Sequence, residues 1–210
     1  MRVEESLVDF GHRYYFELGR FVDQFARVEK SVQLILFMSA EVDIVHGRAL
    51  FAGTKNREAI ALIRKLHESR AGRLPADIED AFKQLLEINS TRDALVHWGV
   101  RRSPYSALDS LQPEDSADEV FLLSNSLTAY SRRLLRGYPM SPVIVHCMSN
   151  DLRTIEVKLE MFLLDLNGGG PKQAGRTALA ARPWFYKPPQ VIPFPQAPRS
   201  GALARQERQP

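Results

Sequence analysis

The chain carries one cysteine, Cys147, in 210 residues. A lone thiol closes no intramolecular disulfide, and there is no cysteine cluster to hold zinc. Stability must come from core burial, and a reducing cytoplasm is the expected compartment. Long apolar runs are missing as well. "VQLILFM" is about the longest, well short of a membrane span, and no membrane partner is expected. The opening "MRVEESLVDF" is soon broken by charge, so neither a secretory signal nor a transit peptide is expected in it. Paired histidines and carboxylates at ligand spacing are absent, which predicts no metal and no other cofactor. Acid is scarce in one region. Residues 171–210 hold seven Lys/Arg and one acid, Glu207, for a charge of +6, while the preceding 170 residues total −3. The body of the protein is therefore no basic coat for nucleic acid. Any phosphate contact there must come from a local cluster.

What is present is an ordinary globular composition, 44% hydrophobic and 25% charged. Apolar residues recur every three or four positions, the period of an amphipathic helix. From about Glu5 to Ala40 the stripe is Tyr14, Leu18, Phe21, Phe25, Val28, Val32, Ile35 and Ser39, with Gly11 and Gly19 weakening its start. A short helix is expected over Ile44 to Ala52. Another runs from Arg57 to Ser69, with Asn56 as its expected N-cap. Pro75 opens a helix that reaches Trp98. The last begins at "SPVIV", where Ser141 suits the N-cap and Pro142 the first helical position. The expected fold is all-α, an up-and-down bundle of four to five helices over residues 1–167.

Two segments break this pattern. Between about residues 100 and 140, "DEVFLLSN" and "SLTAYSRRLL" read as a hairpin-like insertion. Its arginines gather at the ends: Arg101 and Arg102 at one, Arg132, Arg133 and Arg136 at the other. If the ends meet, they form an RNA-binding, phosphate-contacting patch; otherwise they are solvated loop charge. Residues 168–210 open on "NGGGPKQAGR" and hold eight of the 13 prolines. They are expected to be a disordered, basic tail. Inside it, "PWFYKPPQVIPFPQAP" mixes aromatics with prolines, and the alternative is an extended docking segment for a protein partner or for the chain's own body.

The helix ending at Trp98 carries an anomaly. On a wheel of about 100° per residue, Asn89, Arg92 and Asp93 share the arc of Ile78, Phe82, Leu85 and Val96, and His97 borders it. Buried polar groups cost several kcal/mol unless they find partners. Asp93 and His97 are one turn apart, so the carboxylate could orient the imidazole. Glu29, flanking the apolar face of the first helix, is a candidate counter-ion for Arg92. Two readings stand: a lock between helices, or a working cleft. His12, His46, His67 and His146 read as surface residues, and Cys147 as a core thiol.

"RDALVHWG" resembles the Arg-x4-His motif of the HEPN superfamily, with a polar residue after the arginine. "FVDQFARVEKSVQLIL" and "ALFAGTKNREAIALIRKL" are similar to that family's first and second helices. The resemblance covers roughly Arg13 to Leu166. Asp93 stands where asparagine is commoner, and Gly99 where one variant has tyrosine. The resemblance implies a HEPN-like homodimer acting as a metal-independent endoribonuclease, a hydrolase in a toxin–antitoxin or anti-phage setting, or else a non-catalytic module binding RNA, nucleotide or a protein partner. In the catalytic case Arg92 and His97 are the catalytic pair. RNA supplies its own nucleophile, the 2′-hydroxyl, and needs a base, an acid and positive charge on the phosphorane. One histidine cannot readily be base and acid at once, whereas two copies in a dimer could divide the work. Arg92 would clamp the phosphate. Asp93 would orient His97, and Asn89 would position ribose or phosphate.

Overall fold

The computed structural model describes residues 2–98, 100–102, 121–124, 136–169, 182–188 and 192–193. Side-chain placement within them covers residues 12–93, 95, 140–169 and 182–188. The architecture is an all-α bundle: α1 (Arg2–Ser39), α2 (Ile44–Phe51), α3 (Asn56–Ala71), α4 (Ala76–Trp98) and α5 (Pro142–Leu166). The predicted stripes are the core. Phe21, Phe25, Val28, Val32, Ile35 and Leu36 of α1 are buried against Val145, Met148, Leu152, Ile155, Leu159 and Phe162 of α5. Ile60 and Ile63 of α3 and Ile78, Phe82, Leu85 and Ile88 of α4 complete the cluster. Each such side chain stabilises the fold by roughly 1.5–3 kcal/mol. The helix α1 passes unbroken through Gly11 and Gly19, because tertiary packing of its stripe outweighs the glycine penalty.

Local chemistry sets the boundaries. The Asp43 carboxylate accepts from the backbone N–H groups of Val45 and His46 and starts α2. Ser141 accepts from the Ile144 N–H at 3.3 Å, with Pro142 in the first turn of α5, as expected. Asn56 departs from expectation. The flanking position of α3 belongs to Lys55, and Asn56 is the first helical residue, buried against α1. Its side-chain amide donates to Glu29 instead of capping its own helix. Gly72 ends α3 at φ 86°, a left-handed backbone that favours glycine.

The insertion contributes a small antiparallel sheet. Its strands are β1 (Val100–Arg102), β2 (Phe121–Ser124) and β3 (Arg136–Met140), and β2 lies against α4. β2 falls within the expected first strand. Residues 126–135, expected to be the second, lie outside the described residues, and the strand that pairs with β2 is β3. A fourth strand, β4 (Ile192–Pro193), joins the free edge of β3, with Gly137 opposite Ile192 and Arg136 opposite Pro193.

That fourth strand belongs to the stretch expected to be disordered, and residues 182–188 follow the alternative, a segment docked on the chain's own body. They lie extended along α4 and α5, with Tyr186 only 2% exposed. The Asp151 carboxylate of α5 accepts from the backbone N–H groups of Phe185 and Tyr186 at 2.9 and 2.8 Å. Gln84 of α4 donates to Asp151 and to the Tyr186 carbonyl. The tyrosine hydroxyl meets Thr91, and the Trp184 indole donates to Asp80 at 2.9 Å. Composition foretold a segment unable to build a core of its own. It does not need one, because α4 and α5 supply both polar partners and an apolar floor.

Candidate functional site

The polar residues of the motif helix gather where side chains of α4 reach those of α1, beside the first turn of α3. Phe25 and Glu29 stand one turn apart on α1. The Arg92 guanidinium lies over the Phe25 ring, 5.2 Å from its centre, a cation–π geometry. Its Nη1 donates to Asp93 Oδ1 at 3.0 Å. Asn89, one turn earlier, donates to the other Asp93 oxygen at 3.3 Å. Across the junction, Glu29 Oε1 accepts from Asn56 Nδ2 at 3.3 Å. Glu29, Asn89, Arg92 and Asp93 are thus neighbours, and Asn56 and Phe25 join them.

The depth of the cluster differs from the wheel. Asn89 is half-buried, and the Arg92 and Asp93 side chains are 36% and 49% exposed. A helical wheel orients a side chain on its own helix but cannot tell where the facing helices end. Here α1 and α3 leave the last turns of α4 partly uncovered, so these groups open to solvent. Burial holds the Glu29 carboxyl above its ordinary value; Arg92 and the Asn56 hydrogen bond pull it down, and Asp93 pushes it up. The guanidinium thus bonds one carboxylate, Asp93, and acts on Glu29 through its charge alone.

His97 is in α4, one turn beyond Asp93, and its side chain lies outside the described residues. Arg101 and Arg102 follow on β1, directly after the motif. Arg136 opens β3, at the end of the sheet nearer the start of β1. Arg132 and Arg133 lie outside the described residues. The backbone register puts Arg102 level with Phe121 and Met140, and Arg136 beyond Ser124. Arg102 and Arg136 therefore sit at opposite ends of the sheet, about four strand positions apart at roughly 3.3 Å each.

Sequence reasoning missed Asn56, read as a cap, and Phe25, read only as core. The i, i+4 pairing of Phe25 with Glu29 was the available signal for the second. His146, expected on the surface, is half-buried: its Nδ1 lies 3.1 Å from Glu17 Oε2, which also accepts from Arg20. This second polar cluster ties α5 to α1. The half-buried Cys147 thiol is pushed up by burial and by Asp151. Among the described residues no three His, Cys, Asp or Glu converge to hold a metal ion. Nor, among them, is any helix long and apolar enough to cross a membrane. No family model, curated protein or solved structure matches the chain.

Proposed function

We propose that the end of α4 serves a metal-independent endoribonuclease in which Arg92 and His97 act on the scissile phosphate. The observation that carries the reading is the presentation of Arg92. Its head rests on Phe25 and is braced by Asp93, yet it stays accessible to solvent. A guanidinium that served only to lock helices would be enclosed. The resemblance of "RDALVHWG" to the HEPN motif supplies the chemistry. A base removes the 2′-hydroxyl proton, the 2′-oxygen attacks phosphorus, and the bond to the 5′-oxygen breaks as an acid protonates it. The products are a 2′,3′-cyclic phosphate and a 5′-hydroxyl. His97 from each of two copies supplies base and acid, and Arg92 neutralises the charge that builds on the phosphorane. Arg101 and Arg102, which follow the motif directly on β1, hold the flanking backbone. An apolar strip on α1, Tyr15 and Val22, is exposed and suits a homodimer contact.

A second reading has its own observation. Asp93 already occupies Arg92, and Glu29 adds a further carboxylate beside it. That excess of negative charge opposes phosphate and favours a module that binds RNA, nucleotide or protein without cutting.

One assay decides. Labelled RNA is incubated with wild-type protein, Arg92→Ala and His97→Ala, all with EDTA present. Cleavage by the wild type and a loss of about 100-fold or more in both variants is expected. Equal cleavage by all three sinks the catalytic assignment. RNA binding without cleavage, weakened by Arg92→Ala, establishes the second reading.

A further inference from the structure

The groove under residues 184–186 is built as a receptor rather than as ordinary core. Its polar members come from α4 (Asp80, Gln84, Thr91) and α5 (Asp151, Lys158), elements whose positions the bundle fixes. Asp151 reads two successive main-chain N–H groups, and Gln84 reads the following carbonyl, so the backbone is recognised whatever its side chains. Specificity comes from two flanking places. Trp184 donates to Asp80 and lies on the Lys158 ammonium, 4.5 Å from ring centre to Nζ. Tyr186 is enclosed, with its hydroxyl on Thr91. Phe185, between them, faces solvent. Lys158 is the most telling group. It is 2% exposed, its Nζ has no hydrogen-bond partner, and the nearest carboxylate oxygen, on Asp80, is 3.9 Å away. A segment that served stability alone would be better covered by an apolar residue here. With Asp80 at 3.9 Å, the buried ammonium has the Trp184 ring as its close partner, so this end of the groove is fitted to an indole.

We propose that this α4–α5 groove is a peptide-recognition site for extended segments with Trp and Tyr two residues apart, in which residues 184–186 are an internal ligand that a partner protein's segment of the same chemistry displaces. The tether permits exchange. Twelve residues, 170–181, separate Gly169 from Arg182. They reach up to about 40 Å, against the ~22 Å of helix from Asp151 to Leu166. The internal ligand therefore docks without strain, and it competes by its high local concentration.

The test uses the full-length chain and a fluorescein-labelled peptide copying residues 182–193, followed by anisotropy. Trp184→Ala/Tyr186→Ala removes the internal competitor and is expected to bind the peptide about tenfold more tightly than wild type, because apparent affinity scales with the open fraction. Asp151→Asn added to that variant removes most of the gain. A peptide with alanine at its Phe185 position binds as before, and one with alanine at both Trp and Tyr does not bind. Circular dichroism checks the helical content of each protein. Should the double variant lose its helices, Tyr186→Phe, which lacks only the hydroxyl, takes its place with a gain of about threefold. No gain in any folded variant overturns the proposal. A wild-type chain that sediments as a dimer at assay concentration, and as a monomer after Asp151→Asn, also overturns it, by giving the groove to a second copy's tail.

Discussion

Lys158 is a buried charged residue and Glu29 a half-buried one. Burial raises the Glu29 carboxyl despite Arg92 and Asn56. The native state thus holds this proton more tightly than the unfolded chain does. The stability it contributes is fully present below the ordinary carboxylate range and is lost as pH rises through the raised value. Glu29→Gln, which keeps an oxygen for Asn56, is expected to melt slightly above wild type at pH 7, by less than about 1 kcal/mol. The advantage shrinks toward about pH 4, and paired thermal melts check the sign. Lys158 is held by Asp80 at 3.9 Å and by the Trp184 face. Replacing a buried ammonium of this kind by an apolar side chain of similar volume is often neutral or stabilising. Lys158→Met is therefore expected to keep or raise Tm, and a fall of more than about 2 kcal/mol in urea unfolding would contradict the account. In sequence, Glu29 was legible as a neighbour of Arg92 because it flanks the α1 stripe, but its hydrogen bond goes to Asn56. Lys158 was not, because nothing in α5 itself announces that a distant tryptophan will cover it.

At the scale of elements, α2 shows how a two-turn helix is positioned by one absent side chain. Gly47 is buried, and a Cβ there would meet the Phe37 ring at 2.6 Å, while that ring lies parallel to Phe51. Alanine would gain up to about 1 kcal/mol of helix propensity. The clash outweighs it, since overpacking costs about 1–3 kcal/mol and the ring is buried against Phe51. Gly47→Ala is expected to lower Tm by several degrees, roughly 2–4 °C for each kcal/mol, and calorimetry reads it directly. Helix positions were the most legible part of this fold. The stripes of α1 and α5 and the Ser141–Pro142 start survive because periodicity and capping are local. Asn56 was misread because cap preference is local too, whereas its burial is imposed by α1. The docked tail was legible only as an alternative, a docking segment read from its mix of aromatics and prolines. Composition reports what a segment can bury by itself, and Tyr186 is buried by Thr91 and the α4–α5 floor. The candidate site was half legible: the wheel grouped Asn89, Arg92 and Asp93, but their exposure depends on where α1 and α3 stop.

At the scale of the molecule, residues 182–188 and β4 join parts that are far apart in sequence. One end of the tail holds α4 to α5, and the other extends the sheet that leads out of the motif helix. Tyr186→Ala is expected to release this connection without unfolding the bundle. Hydrogen exchange should accelerate at the Phe185 and Tyr186 amides, whose acceptor is Asp151, while the amides of Leu85, Ile88, Ile155 and Leu159 keep their protection. Equal acceleration in the core would mean that the tail is part of one cooperative unit. The same geometry has a consequence for truncation. Every receptor side chain lies at or before Lys158, and its cover begins at Trp184. A chain cut between Leu166 and Trp184 keeps all five helices and loses the cover, which leaves Asp151 and Lys158 open to water. Such a chain has no segment of its own to give up and is permanently receptive.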